Sequence, residues 1–174
     1  MLPTVTVTAG NVNVTMVPGR ARYLLGVPDI LHQVVIEAPA RAVYRALTEP
    51  DGLAGWWTTD VDAEPELGSV ADFGFDSRST VFKMKIEELE EQEFVRWHCV
   101  GGQPEWEHTE ITFDLSEETS DGAVRTILYF AHRGWESTDG ILAMCSFEWA
   151  RSLMSLKAYA ETGHGSPHGG ATGT

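Results

Sequence analysis

Five segments in the middle of the chain, VADFGF, STVFKMKIEEL, EFVRWHC, HTEITFDL and AVRTILYFAH, follow one another with acidic or glycine-bearing turns such as EEQE and SEETSDG between them. One parity in each is apolar: Phe82, Met84 and Ile86; Val95, Trp97 and Cys99; Thr109, Ile111, Phe113 and Leu115; Val124, Thr126, Leu128 and Phe130. The other parity carries Lys83, Lys85, Arg96, Glu110, Asp114 and Arg125, with Ile127 and Tyr129 breaking the alternation. Side chains on a strand alternate between faces, so this pattern describes consecutive antiparallel strands with one buried face and one solvated face. Such a sheet needs a cover.

The cover comes last. Residues 138 to 161 read as a helix with Ser137 or Thr138 as N-cap, Asp139 near its positive end and Gly163 as its stop. Ile141, Leu142, Cys145, Trp149, Leu153 and Leu156 form its main stripe, and Met144 and Phe147 widen the apolar surface beyond what a surface helix needs. Ahead of the strands, LHQVVIE reads as a strand, PARAVYRALTEP as a helix and DGLAGWW as a second helical turn. Trp56 and Trp57 stand side by side there, and neighbours on a helix or strand point in different directions. Two apolar surfaces, or a surface and a cavity, meet at that point.

Residues 1–28 alternate valine with threonine and asparagine, which fits a short hairpin or an arm; 29–163 form one domain; 164–174, glycine-rich and without apolar pattern, read as a disordered tail. Twenty-six acidic against twelve basic residues give a formal charge of −14, which opposes nucleic-acid and anionic-membrane partners. Two cysteines, Cys99 and Cys145, make no disulfide framework, and no signal-like or membrane-length apolar run occurs, so the expectation is a cytoplasmic protein. His164 and His168 lack helical context for a metal site, and no phosphate loop or nucleophile elbow is present, so no cofactor is expected. Glu87, Glu88, Glu90, Glu91 and Glu93 read as a solvated edge around a turn, and Glu148 with Arg151 as a surface ion pair.

VVIEAPARAVYRALTEPDGLAGWW resembles the opening of the START-like (SRPBCC) superfamily, in its branch named after the activator of Hsp90 ATPase: Ala-Pro, a Val-aromatic pair, Leu-Thr-x-Pro and a paired Trp. HRGWESTDGILAMCSFEWARSLMSLKAYAETG is similar to that branch's ending. The resemblance spans about residues 31–163 and implies an α+β helix-grip fold, a curved antiparallel sheet wrapped around a long C-terminal helix. It also implies a cavity for a small apolar or amphipathic molecule, with cavity enzymes of the polyketide cyclase or dehydratase type as the alternative. The activator's additional N-terminal domain has no room here, so chaperone contact is not expected, and a homodimer is left open.

The residues expected to line the cavity are Trp56, Trp57, Phe73, Phe75, Phe82, Met84, Trp97, Thr109, Phe113, Phe130, His132, Met144, Phe147 and Trp149. His132 continues the inward parity of its strand and is the weak candidate for acid–base work; a structural imidazole tied to its neighbours is favoured over it. His32 shares the inward parity of the first strand, while His98 falls on the polar one. Threonines at 109 and 126 offer hydroxyls, although threonine in a strand reflects propensity as well.

Overall fold

The computed structural model describes residues 27–170 throughout, together with strands β1 (Val5–Ala9) and β2 (Val12–Met16). Those two pair antiparallel as a separate two-stranded sheet. The domain then runs β3 (Ile30–Ile36), α1 (Ala40–Thr48), α2 (Pro50–Trp56), β4 (Asp60–Asp62), β5 (Val70–Phe75), β6 (Thr80–Glu90), β7 (Phe94–Gly101), β8 (Glu110–Ser120), β9 (Ala123–Arg133) and α3 (Leu142–Thr162). Seven strands form one antiparallel sheet in the order β3-β9-β8-β7-β6-β5-β4. Two register shifts between β6 and β7, at Lys83/Met84 and Ile86/Glu88, are bulges of the kind that bend a sheet. The curved sheet grips α3, whose Cys145, Trp149, Leu153 and Leu156 are buried against it.

β8 runs further than its apolar pattern. Ser116–Ser120 belong to the strand, and the turn shrinks to Asp121 and Gly122, both at positive φ (53° and 82°), as a two-residue hairpin loop requires. β4, only three residues long and without alternation, was not legible at all.

α3 starts at Leu142, four residues later than its capping residues suggest. Ser137 spends its hydroxyl on the amide of Asp139 in a turn, and the first free helical amide, Ile141 N, donates to Glu105 Oε2 at 3.1 Å from a distant loop. A carboxylate there also suits the positive end of the helix. Replacing Glu105 by alanine is expected to cost about 1 kcal/mol, the usual worth of a cap, read as a lowered denaturation midpoint.

The tail is not free over residues 164–170. His168 N donates to Trp57 O (2.9 Å), His168 O accepts from Thr59 N (3.0 Å), and its ring lies 5.2 Å from Phe75. Glycine content misled the reading of this segment as disordered. Gly165 passes so close to α2 that a Cβ would sit 2.3 Å from the carbonyl oxygen of Gly55, so its lack of a side chain is a packing requirement.

Candidate functional site

The space between α3 and the sheet is occupied by aromatic rings. Trp57, at the end of α2, lies nearly parallel to Trp149 of α3 at 5.1 Å and to Trp97 of β7 at 5.9 Å, with Phe73 at 4.4 Å. Phe113 and Phe130 continue the cluster, Phe130 reaching Trp149 at 4.6 Å. Trp56, stacked beside Trp57, belongs to α1 instead: its Nε1–H donates to Ala46 O at 2.8 Å. The two neighbouring tryptophans thus serve different surfaces, Trp56 the α1–α2 corner and Trp57 the layer under α3.

A polar chain crosses the far end of this cluster. Trp149 Nε1–H donates to His132 Nδ1 at 3.0 Å, and an indole nitrogen can only donate, so Nδ1 carries no proton. The proton of the neutral ring is therefore on Nε2, which donates to Thr109 Oγ1 at 2.8 Å, and that hydroxyl donates to Trp106 O at 2.6 Å. Every donor and acceptor direction is fixed. Burial, with no carboxylate in the chain of contacts, pushes the His132 pKa down to about 3, so the ring is neutral at physiological pH. Both nitrogens are committed to Thr109 and Trp149, so His132 forms a buried polar tie between β8, β9 and α3.

Ten of the expected lining residues, Trp56, Trp57, Phe73, Met84, Trp97, Thr109, Phe113, Phe130, His132 and Trp149, are buried together, and Phe75 and Phe82 are partly buried beside them. Met144 and Phe147 are elsewhere. They point outward from α3 at 59% and 64% exposure, because the helix buries the opposite arc. Trp106 and Trp135 were missed. Trp106 closes a 3₁₀ turn (Pro104–Trp106), stacks on Trp149 at 5.8 Å and donates to Cys145 Sγ at 3.3 Å, while Trp135 donates to His132 O at 3.1 Å. Neither sits in a periodic segment, and an unexplained tryptophan beside a proline turn was the available signal. Burial raises the thiol pKa of both Cys99 and Cys145, so neither is a ready nucleophile. His32 donates to Ser146 O (3.1 Å) and so ties β3 to α3.

Two surface grooves border the sheet, one at the β6–β7 turn beside Ala40 of α1 and one on the face away from α3. The first, of about 780 Å³, is bordered by the carboxylates of Glu88, Glu90, Glu91 and Glu93. The other, of about 560 Å³, runs over Arg96, Thr112, Tyr129 and Arg133. Neither is lined by Trp57, Trp97 or Trp149.

A curved antiparallel sheet closed around a long C-terminal helix, with an aromatic layer between them, defines a helix-grip domain of the START-like class. The family model for "Activator of Hsp90 ATPase homolog 1-like protein" matches residues 37–161, and the chain belongs to that family. Its fold is similar to that of the Aha1 dimer from Colwellia psychrerythraea, with 35% identity, a TM-score of 0.70, and coverage of 80% of this chain and all of that one. A protein of Staphylococcus saprophyticus shares the fold at 20% identity and a TM-score of 0.63, over 80% of this chain and 96% of its own. So does a protein of the dynemicin biosynthetic locus, at 20% identity and a TM-score of 0.60, over 79% of this chain and 48% of its own. No curated protein matches the chain. No helix among the described residues is long and apolar enough to cross a membrane.

Proposed function

We propose that the domain binds a small, flat, apolar molecule between α3 and the sheet, at the position Trp57 fills when no guest is present. One observation carries this reading: Trp57 lies against the nearly parallel indoles of Trp56, Trp97 and Trp149, and no hydrogen bond within the described residues fixes its N–H, which is not among the buried unpaired donors. The indoles of Trp56, Trp106, Trp135 and Trp149 are each held by such a bond, whereas Trp57 and Trp97, the two without one, stack on each other. Trp57 is thus a ring held by stacking alone, at the end of a helix of seven residues. If it turns out, a planar slot opens between Trp97 and Trp149.

The energetics select the guest. Re-exposing an indole gives up about 150–250 Å² of burial, worth about 4–6 kcal/mol at roughly 25 cal/mol per Å². A guest must bury more than that, so one larger than a bicyclic ring is favoured. Native mass spectrometry of the chain expressed in its own host tests the reading. A retained apolar molecule of three or more fused or linked rings is the expected result, and a strictly ligand-free chain would contradict it.

The family's name also raises an Hsp90-type contact. A pull-down without such a chaperone, together with unstimulated ATPase activity, would remove that reading. The Colwellia relative is a dimer. For this chain we propose pairing with a second copy as well, supported by the large apolar side chains that α3 leaves in solvent.

A further inference from the structure

Met144, Phe147 and Met154 are 59%, 64% and 56% exposed, all on the arc of α3 that faces away from the sheet. A helix that covers one sheet needs one apolar stripe, and α3 already has it in Cys145, Trp149, Leu153 and Leu156. Among the described residues nothing covers the second stripe. Methionine, phenylalanine and arginine are the residue types that protein interfaces favour, and Arg151 lies within this stripe.

The spacing of the stripe indicates what covers it. Met144, Phe147, Arg151 and Met154 are separated by three, four and three positions, a pattern that reads the same in both directions. A two-fold interface requires such self-complementarity, since each contact occurs twice with the roles exchanged. Charge agrees. The chain carries −14 overall, so two copies repel over most of their surfaces, but the only charged side chains within this stretch of α3 are Glu148 and Arg151, which cancel.

We propose that two copies of the chain meet α3 to α3, antiparallel, across a two-fold axis level with Trp149. Met144 of one copy then packs on the partner's Met154, and Phe147 on the guanidinium and stem of the partner's Arg151, a stacking that arginine supports. This inference names the surface for the pairing proposed above and rests on that reading.

Sedimentation of the full chain over a range of concentrations tests both. The wild type is expected to be dimeric, while Phe147→Glu and Met154→Glu are monomeric at the same concentrations with unchanged tryptophan fluorescence. These positions are exposed in the single chain, so the fold does not depend on them. Arg151→Glu, which removes the guanidinium and stem on which the partner's Phe147 packs, is expected to weaken the dimer at least tenfold. Register has its own test. Met144 and its own symmetry mate lie about 15 Å apart along the helices, ten residues at 1.5 Å each, whereas Met144 and the partner's Met154 lie side by side. A short thiol cross-linker is therefore expected to trap the Met144→Cys/Met154→Cys double variant as a covalent dimer and not the Met144→Cys single variant. A wild type that is monomeric throughout overturns the pairing and the interface together. A dimer that survives Phe147→Glu and Met154→Glu overturns the α3 interface alone.

Discussion

Trp57→Ala is expected to lower the unfolding free energy by about 3–5 kcal/mol, the range for removing a large aromatic side chain from a packed interior. The ring touches Phe73, Trp97 and Trp149, so its loss leaves a planar gap with aromatic walls that cannot easily collapse. That gap is dry and apolar, the kind that accepts a small apolar molecule. Added indole is therefore expected to restore part of the lost stability in the variant, rising with the logarithm of its concentration. It is expected to leave the wild type unchanged, where Trp57 already fills the slot. Thermal denaturation with and without indole reads both effects. Trp135→Ala serves as the control: it removes an indole of equal size that touches Trp106 and His132 rather than Trp57, and indole is not expected to rescue it in the same way.

The second large effect is on acid stability. His132 is neutral when folded, with its pKa pushed down to about 3 by burial, and returns to the ordinary value of 6.5 when the chain unfolds. Between those two values the unfolded state binds a proton that the folded state refuses, so stability rises with pH across the window. The contribution is fully present above pH 6.5 and is lost as pH falls towards 3, at up to about 1.4 kcal/mol per pH unit. The loss reaches several kcal/mol in all. His132→Gln keeps an amide that can accept from Trp149 or donate to Thr109, but cannot be protonated. It is expected to be less stable than the wild type at pH 7, and to show a flatter pH dependence between 6.5 and 5, above the range where ordinary carboxylates titrate. Urea midpoints measured at half-unit intervals distinguish the two proteins. Equal slopes would mean that His132 is accessible to protons in the folded chain, and the fixed hydrogen-bond chain would be wrong.

What could be read from the sequence follows from which interactions are local. Strands β5 to β9 declare themselves because a buried face imposes period two on each strand separately, and α3 because a buried arc imposes its own period. The inward position of His132 followed from the same parity. Its partners did not, because Thr109 and Trp149 meet it only through the pairing of β8 with β9 and the docking of α3. Glu105 capping α3 from 36 residues away is likewise invisible to any local pattern. Periodicity also could not tell the two apolar arcs of α3 apart. Met144 and Phe147 extend the apolar pattern as interior residues would, whereas the helix turns them to solvent. For the tail, composition alone suggested freedom, while the close approach of Gly165 to α2 shows the opposite use of glycine.

The central claim is that the layer between α3 and the sheet yields to a flat apolar guest at Trp57. The most direct measurement is nitrogen-15 NMR of the six indole N–H groups during titration with 1-pyrenemethanol, a neutral four-ring probe without charge to seek the charged grooves. Saturable shifts at Trp57, Trp97 and Trp149, with Trp135 little changed, are the predicted result. Indole signals that stay in place while amides along the surface grooves move would contradict the account.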